Sequence, residues 1–221
     1  MTSRRRNTLT IVVTYVLMLA IAYGINWFNY NIASRLSGGF RLISIIIVWW
    51  PLLIPTIVFM LRDKENAKDI GLTKEKLPWQ LLNGLFVAIG ALAIFVILPA
   101  FFGVQMTHVG SLDIWSIPYQ LAYMLLAVAT IEEVIFRGHL FKKLLGIKES
   151  RWFAITMSSV IFGLFHIYNW NIFQIIFAAL IGFYFCVCRE KIKQCTLLSL
   201  IIGHAVYNTI GPIFTALYFS L

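Results

Sequence analysis

The amino-acid sequence predicts an all-α fold, a polytopic transmembrane helical bundle of about seven to eight helices with polar groups gathered inside the membrane. Three observations predict it. Of 221 residues, 60% are apolar and 12% charged, with a mean hydropathy of +0.85; a water-soluble domain of this size needs far more polar surface. The apolar residues form long runs, most near the ~20 residues that carry a helix across a ~30 Å hydrocarbon core. Finally, the runs lack the strict alternation of barrel strands, and only helices and closed barrels satisfy their backbone groups in lipid.

Taken in order, the runs are roughly Leu9–Phe28, Leu42–Leu61, Leu81–Phe102, Ile117–Phe136, Trp152–His166, Ile172–Cys188 and Thr196–Leu221. Arg4, Arg5 and Arg6 before the first run, and Ala20-Ile21-Ala22 within it, imitate a cleavable leader. The run continues through Trp27 and Phe28, however, and more spans follow, so it reads as a retained signal-anchor. Pro51 and Pro55 predict a kink in the second helix, since each removes a backbone donor. Gly203, Gly211 and Pro212 leave the last run open to division into two shorter helices, which sets the range of seven or eight. Every polar connector is short, so residues 1–221 are expected to form a single integral membrane domain.

The formal charge of +9 does not point to nucleic acid, because the basic residues are not one patch. They cluster between runs: Arg4 to Arg6; Arg62, Lys64, Lys68, Lys74 and Lys76; Lys142, Lys143, Lys148 and Arg151; Arg189, Lys191 and Lys193. Placing the N-terminus in the cytoplasm puts all four clusters on that side, as the positive-inside rule requires. The loop from Gly103 to Ser116 then lies outside with no Lys or Arg, and only Arg35 and Arg41 fall on the outer side. Cys186, Cys188 and Cys195, an odd number near a cytoplasmic cluster, read as free thiols in packing or interfacial positions.

Nine acidic residues occur in the chain, and two of them, Glu132 and Glu133, end an apolar run. Ionisable groups inside a membrane are costly and mark function by default. His166 and His204 also have apolar neighbours on separate runs. Counted from the nearest basic flank at 1.5 Å per residue, Glu132 is about 15 Å deep, His204 about 16 Å and His166 about 22 Å. Three helices thus carry ionisable groups to similar depth. Glu133 and Arg137 stand at i and i+4 and can neutralise one another. On a regular helix Glu132 points about 100° away from Glu133, free to face another helix as a general base. His204 and Asn208 repeat the i, i+4 spacing and offer an imidazole and an amide to one spot, as an oxyanion needs.

Each group also has a plainer reading. An i, i+4 Glu–Arg pair is more often structural, and Glu133–Arg137 keeps that role. His139, beside a helix end, and His108, in the outer loop, read as packing and loop residues. Asn169 and Asn171 are expected in a loop, and Tyr207 with the many Phe and Trp residues in packing or interfacial belts. Two adjacent carboxylates, two deep histidines and a deep Asn together favour a site.

Glu132-Glu133-x-x-x-Arg137-Gly138, then Phe162-x-x-x-His166, then His204-x-x-x-Asn208, resembles the CAAX protease and bacteriocin-processing family, also called Abi, whose members are related to the type II CAAX prenyl protease. The motifs lie in order on apolar runs within a protease core of about 117–210. The resemblance implies an intramembrane endopeptidase in which Glu132 and His166 activate water. His204 and Asn208 would stabilise the oxyanion, Glu133 and Arg137 would support the site with Glu133 contributing to catalysis, and Phe162 belongs to the supporting set. It implies no required cofactor. Zinc is the one candidate metal, with Glu132, His166 and His204 as its ligands. His-Glu-x-x-His, Gly-x-Ser-x-Gly and Gly-x-Gly-Asp are absent, which removes support for zincin, serine and aspartyl mechanisms.

The short chain resembles the bacterial members, which implies a cell-membrane enzyme acting on a peptide or small protein: a bacteriocin, a pheromone, a leader peptide or a lipidated C-terminus. The competing reading is a non-catalytic bacteriocin immunity protein. A proton-coupled transporter ranks below both, because no pair of broken helices is visible in the two halves.

Overall fold

The computed structural model describes residues 2–104 and 116–219, apart from the side chain of Asn169. Seven helices account for most of them. They are α1 (Ser3–Asn31), α2 (Gly38–Arg62), α3 (Leu77–Phe101), α4 (Ser116–Leu145), α5 (Arg151–Phe165), α6 (Ile172–Lys191) and α7 (Leu197–Phe219). Six are long and apolar enough to cross a membrane; α5, with 15 residues, is the shorter one. The chain is thus a multi-pass helical membrane protein. His108 lies outside the described residues.

Helix ends follow the local chemistry. The Thr2 hydroxyl accepts from the Arg5 N–H, and the Ser150 hydroxyl from the Phe153 N–H, each satisfying one orphan donor at a helix start. The Asn171 side chain does the same for Phe173 and Gln174, which accounts for its place just before α6. Between α2 and α3 a short 3₁₀ turn, Ala67–Ile70, opens on a capping box of Asn66 and Asp69 and closes on Gly71 at φ 88°.

Two expectations about helix regularity resolve differently. Pro51 sits in a 3₁₀ stretch, Trp50–Leu53, that divides α2, as a missing backbone donor should. In contrast, α7 runs unbroken from Leu197 to Phe219 with Pro212 inside it. Gly203 and Gly211 do not break α7; they let it approach α3. A Cβ on Gly203 would stand 2.8 Å from Val87 Cγ1, and one on Gly211 3.2 Å from Val96 Cγ2. Gly84 of α3 is pressed equally closely by Ile202. Small residues at a contact let membrane helices pack backbone to backbone.

The described chain forms two compact units: residues up to Leu72 with Ile131–Cys186, and Thr73–Thr130 with Val187–Leu221. In the first, α1 packs on the second half of α2 and on the C-terminal end of α4, with Gly146 leaving room for the Asn7 side chain. In the second, the α3–α7 contact is the dominant one. Its polar end is tied by Asn83 Nδ2 donating to the Lys193 carbonyl at 3.0 Å and by the Thr196 hydroxyl donating to Gln80.

Candidate active site

The carboxylates stand on a helix that is not regular. Within α4, Met124–Val128 and Glu133–Leu140 are π-helical, with backbone bonds reaching five residues instead of four. The angle of about 100° between Glu132 and Glu133 expected for an α-helix therefore does not apply at this junction, because the turns are wider. Single-turn π segments are uncommon and concentrate at functional sites; here the second covers Glu133, Arg137 and His139.

The first unit holds Glu132, Glu133, Arg137, Phe162 and His166. Glu132 is buried, and Glu133 and Arg137 have no exposed surface. Arg137 Nη1 lies 3.1 Å from Glu133 Oε1. An ion pair removed from water is tolerated only when each charge is compensated, and the guanidinium finds its other compensation in aromatic faces. It sits 4.0 Å from the centre of the Phe162 ring and 5.7 Å from that of Phe185. Such cation–π contacts are worth ~2 kcal/mol when desolvated. Gly182 makes the space: a Cβ there would come within 3.1 Å of both Arg137 Nη2 and Phe162 Cδ1.

His166 caps the C-terminal end of α5, where carbonyls lack helical partners. Its Nδ1 is 3.0 Å from the Phe162 carbonyl. A carbonyl only accepts, so this bond places the proton on Nδ1 and leaves the Nε2 lone pair available as an acceptor or base. The ring stands edge-on to Phe162 at 4.9 Å and to Phe165 at 6.0 Å. Phe136 of α4 packs on the same two phenylalanines at 5.0 and 5.5 Å. One aromatic cluster thus orients both the arginine and the histidine.

The second unit holds His204 and Asn208, one turn apart on α7. His204 is buried and follows Gly203, the point of closest approach to α3. Asn208 Nδ2 is 3.7 Å from Met124 Sδ, a weak acceptor. Pro212 lacks the N–H that would otherwise reach the Asn208 carbonyl. Tyr207 is partly buried on α7.

Sequence reasoning missed a second polar cluster in the first unit. Lys143, almost fully buried at the C-terminal end of α4, donates to Asp63 Oδ2 at 2.6 Å and Glu65 Oε1 at 2.8 Å. Lys142 reaches Glu65 at 3.1 Å and Arg62 reaches Asp63 at 2.9 Å. The Arg62 guanidinium, helped by Lys143, holds the Asp63 carboxyl well below the usual carboxylate range against the opposing effect of burial. His139 is fully buried here with Nδ1 3.8 Å from Glu65 Oε2, beyond hydrogen-bond distance. The sequence signal was a connector, residues 62–76, that holds four of the nine acidic residues of the chain: Asp63, Glu65, Asp69 and Glu75.

Among the described residues no three His, Cys, Asp or Glu side chains gather as a metal site requires, and no step below is routed through a metal. Cys186, Cys188 and Cys195 are buried and form no disulfide among the described residues.

Fold and buried charge define a class: a helical integral membrane protein with ionisable groups held inside its spans. The comparison with known families goes further. Residues 114–210, just under half of the chain, match the family described as Rce1-like, type II CAAX prenyl endopeptidase. No curated protein matches the chain, and no solved structure does. At family level the match supports an intramembrane endopeptidase of CAAX type, acting on peptide or protein in a lipid environment.

Proposed function

We propose that this chain hydrolyses a peptide bond with a water activated by Glu132 and His166, the observation that carries the reading being a buried carboxylate pair and a tautomer-fixed histidine inside the matched segment. The Glu132 carboxylate, assisted by His166 Nε2, takes a proton from water as the oxygen attacks the scissile carbonyl carbon. The carbonyl π electrons move to oxygen, and the oxyanion is met by N–H donors of His204 and Asn208. Collapse of the tetrahedral adduct breaks the C–N bond, and the proton held by Glu132 passes to the departing amine. Glu133, neutralised by Arg137 rather than by solvent, supports Glu132 from the adjacent position and adds to the field at the water.

In this reading residues 1–221 act as one integral membrane domain with its catalytic core at about 117–210. The N-terminus faces the cytoplasm of a bacterial cell, since the basic clusters then share one side. Substrates are bacteriocin, pheromone or leader peptides, or lipidated C-termini.

The test uses the purified protein in proteoliposomes with a farnesylated peptide ending in Cys-a-a-X and an unmodified peptide library, read by mass spectrometry. Wild type is expected to generate new termini. Glu132→Ala and His166→Ala are each expected to lose ~10³-fold or more in rate, the scale of losing a general base. Full activity in both variants rules the mechanism out. Cellular protection against a bacteriocin that survives both substitutions would support the immunity reading instead.

A further inference from the structure

We propose that Ser158 is a positioning residue: through the Phe136 carbonyl it holds the π-helical turn of α4 and so sets the direction in which Glu132 and Glu133 face. The inference rests on the endopeptidase reading for its kinetic consequence, though not for its structural one.

Ser158 is fully buried on α5, and its hydroxyl donates to the Phe136 carbonyl of α4 at 2.8 Å. The same carbonyl accepts from the Phe141 N–H five residues on, a donor it shares with the Gly138 carbonyl at the end of the π segment. Both lone pairs of one carbonyl are thus occupied, one along α4 and one from α5. The adjacent serine has a different role: the Ser159 hydroxyl turns back to the Ile155 carbonyl of its own helix, at 2.7 Å. Ser158 also belongs to a working face. Ser158, Phe162, Phe165 and His166 recur at i, i+4, i+7 and i+8; the first three touch, in turn, the backbone of α4, its guanidinium and the ring of Phe136, and the fourth is the candidate catalytic histidine.

The consequence follows from helix geometry. In an α-helix the Phe136 carbonyl would accept from residue 140; the π turn fits one more residue into the loop of that bond. Relaxing the turn to α changes the phase of one side of α4 against the other by about 100°, the angle of one residue. The C-terminal side is fixed by Lys143 to Asp63 and Glu65. The rotation would therefore fall on Glu132 and Glu133. Ser158 supplies a second donor to the carbonyl that defines the π register, in a place where water does not compete for it.

The test compares wild type, Ser158→Ala and Ser158→Thr in lipid nanodiscs. Hydrogen–deuterium exchange over residues 137–141 is expected to speed up ~10-fold in Ser158→Ala, the scale of one lost hydrogen bond. Ser158→Thr, which keeps the hydroxyl, is expected to exchange like wild type. With the farnesylated Cys-a-a-X peptide, Ser158→Ala is expected to lose ~10–100-fold in kcat with KM within about twofold, as a misplaced catalytic group does, and Thr to restore it. Unchanged exchange in Ser158→Ala, or a Thr variant no better than Ala, overturns the proposal. A wild-type protein that cuts no peptide defeats the endopeptidase reading, while the exchange result still decides the role of Ser158.

Discussion

Helix α4 carries charge in two places, and they are built on opposite principles. Near its C-terminal end, Lys143, Lys142, Arg62, Asp63 and Glu65 form a network in which Lys143, Asp63 and Glu65 each have at least two charged partners. Two turns earlier, Arg137 has a single carboxylate contact and otherwise rests on aromatic rings. The network can lose a member and redistribute. The Glu133–Arg137 pair has no exposed surface, and burying such a pair is costly where an apolar replacement would often serve stability as well. The contrast is between charge shared at a helix end and charge enclosed among aromatic rings.

Several substitutions break or sharpen the contrast. The largest effect is expected at the fully buried pair of Glu133 and Arg137. Arg137→Ala removes the buried guanidinium that lies 3.1 Å from the Glu133 carboxylate and should cost ~3–5 kcal/mol in thermal or denaturant unfolding. Arg137→Lys should recover little of it, since a compact ammonium neither spreads over Phe162 nor matches the carboxylate. Recovery to wild-type stability would place Arg137 with the network instead. Next is the helix contact beside His204. Gly203→Ala drives a methyl to within 2.8 Å of Val87 and should cost ~1–3 kcal/mol by overpacking, read as a lowered unfolding midpoint.

Smaller effects are expected from the network. Lys143→Met should cost ~1–2 kcal/mol, because Asp63 keeps Arg62 and Glu65 keeps Lys142. The Asp63 carboxyl is depressed in the folded state. Its contribution is therefore complete above the unfolded carboxylate pKa of about 4 and is lost as pH falls below it, toward the folded value. Unfolding midpoints measured from pH 7 down to pH 3 should fall for wild type, and fall less for Asp63→Asn. Parallel curves for the two would contradict this account.

Much of this was legible in the residues, for identifiable reasons. Hydrophobic run length gave the helices because lipid enforces them, and Pro51 marked its irregularity because a missing donor acts locally. The spacing of Glu133 and Arg137 survived the change from α to π turns, since residues four apart stay neighbours in both. The π turn itself was not legible: it depends on Ser158, 22 residues away from Phe136. The terminal network spans 80 residues between Asp63 and Lys143 and needs tertiary proximity to be seen. Pro212 misled for the converse reason, because the glycine-mediated contact with α3 holds α7 straight enough to continue. Gly182 gave no signal at all, as nothing in its neighbours announces that an arginine will need its space.

The central claim is hydrolysis by a Glu132-activated water, and isotope transfer tests it most directly. The farnesylated Cys-a-a-X peptide is incubated with the reconstituted protein in H₂¹⁸O and the products are weighed. One ¹⁸O in the new carboxylate of the prenyl-cysteine fragment, formed by wild type and abolished in Glu132→Ala, is the predicted result. Equal labelled product from Glu132→Ala would contradict the account.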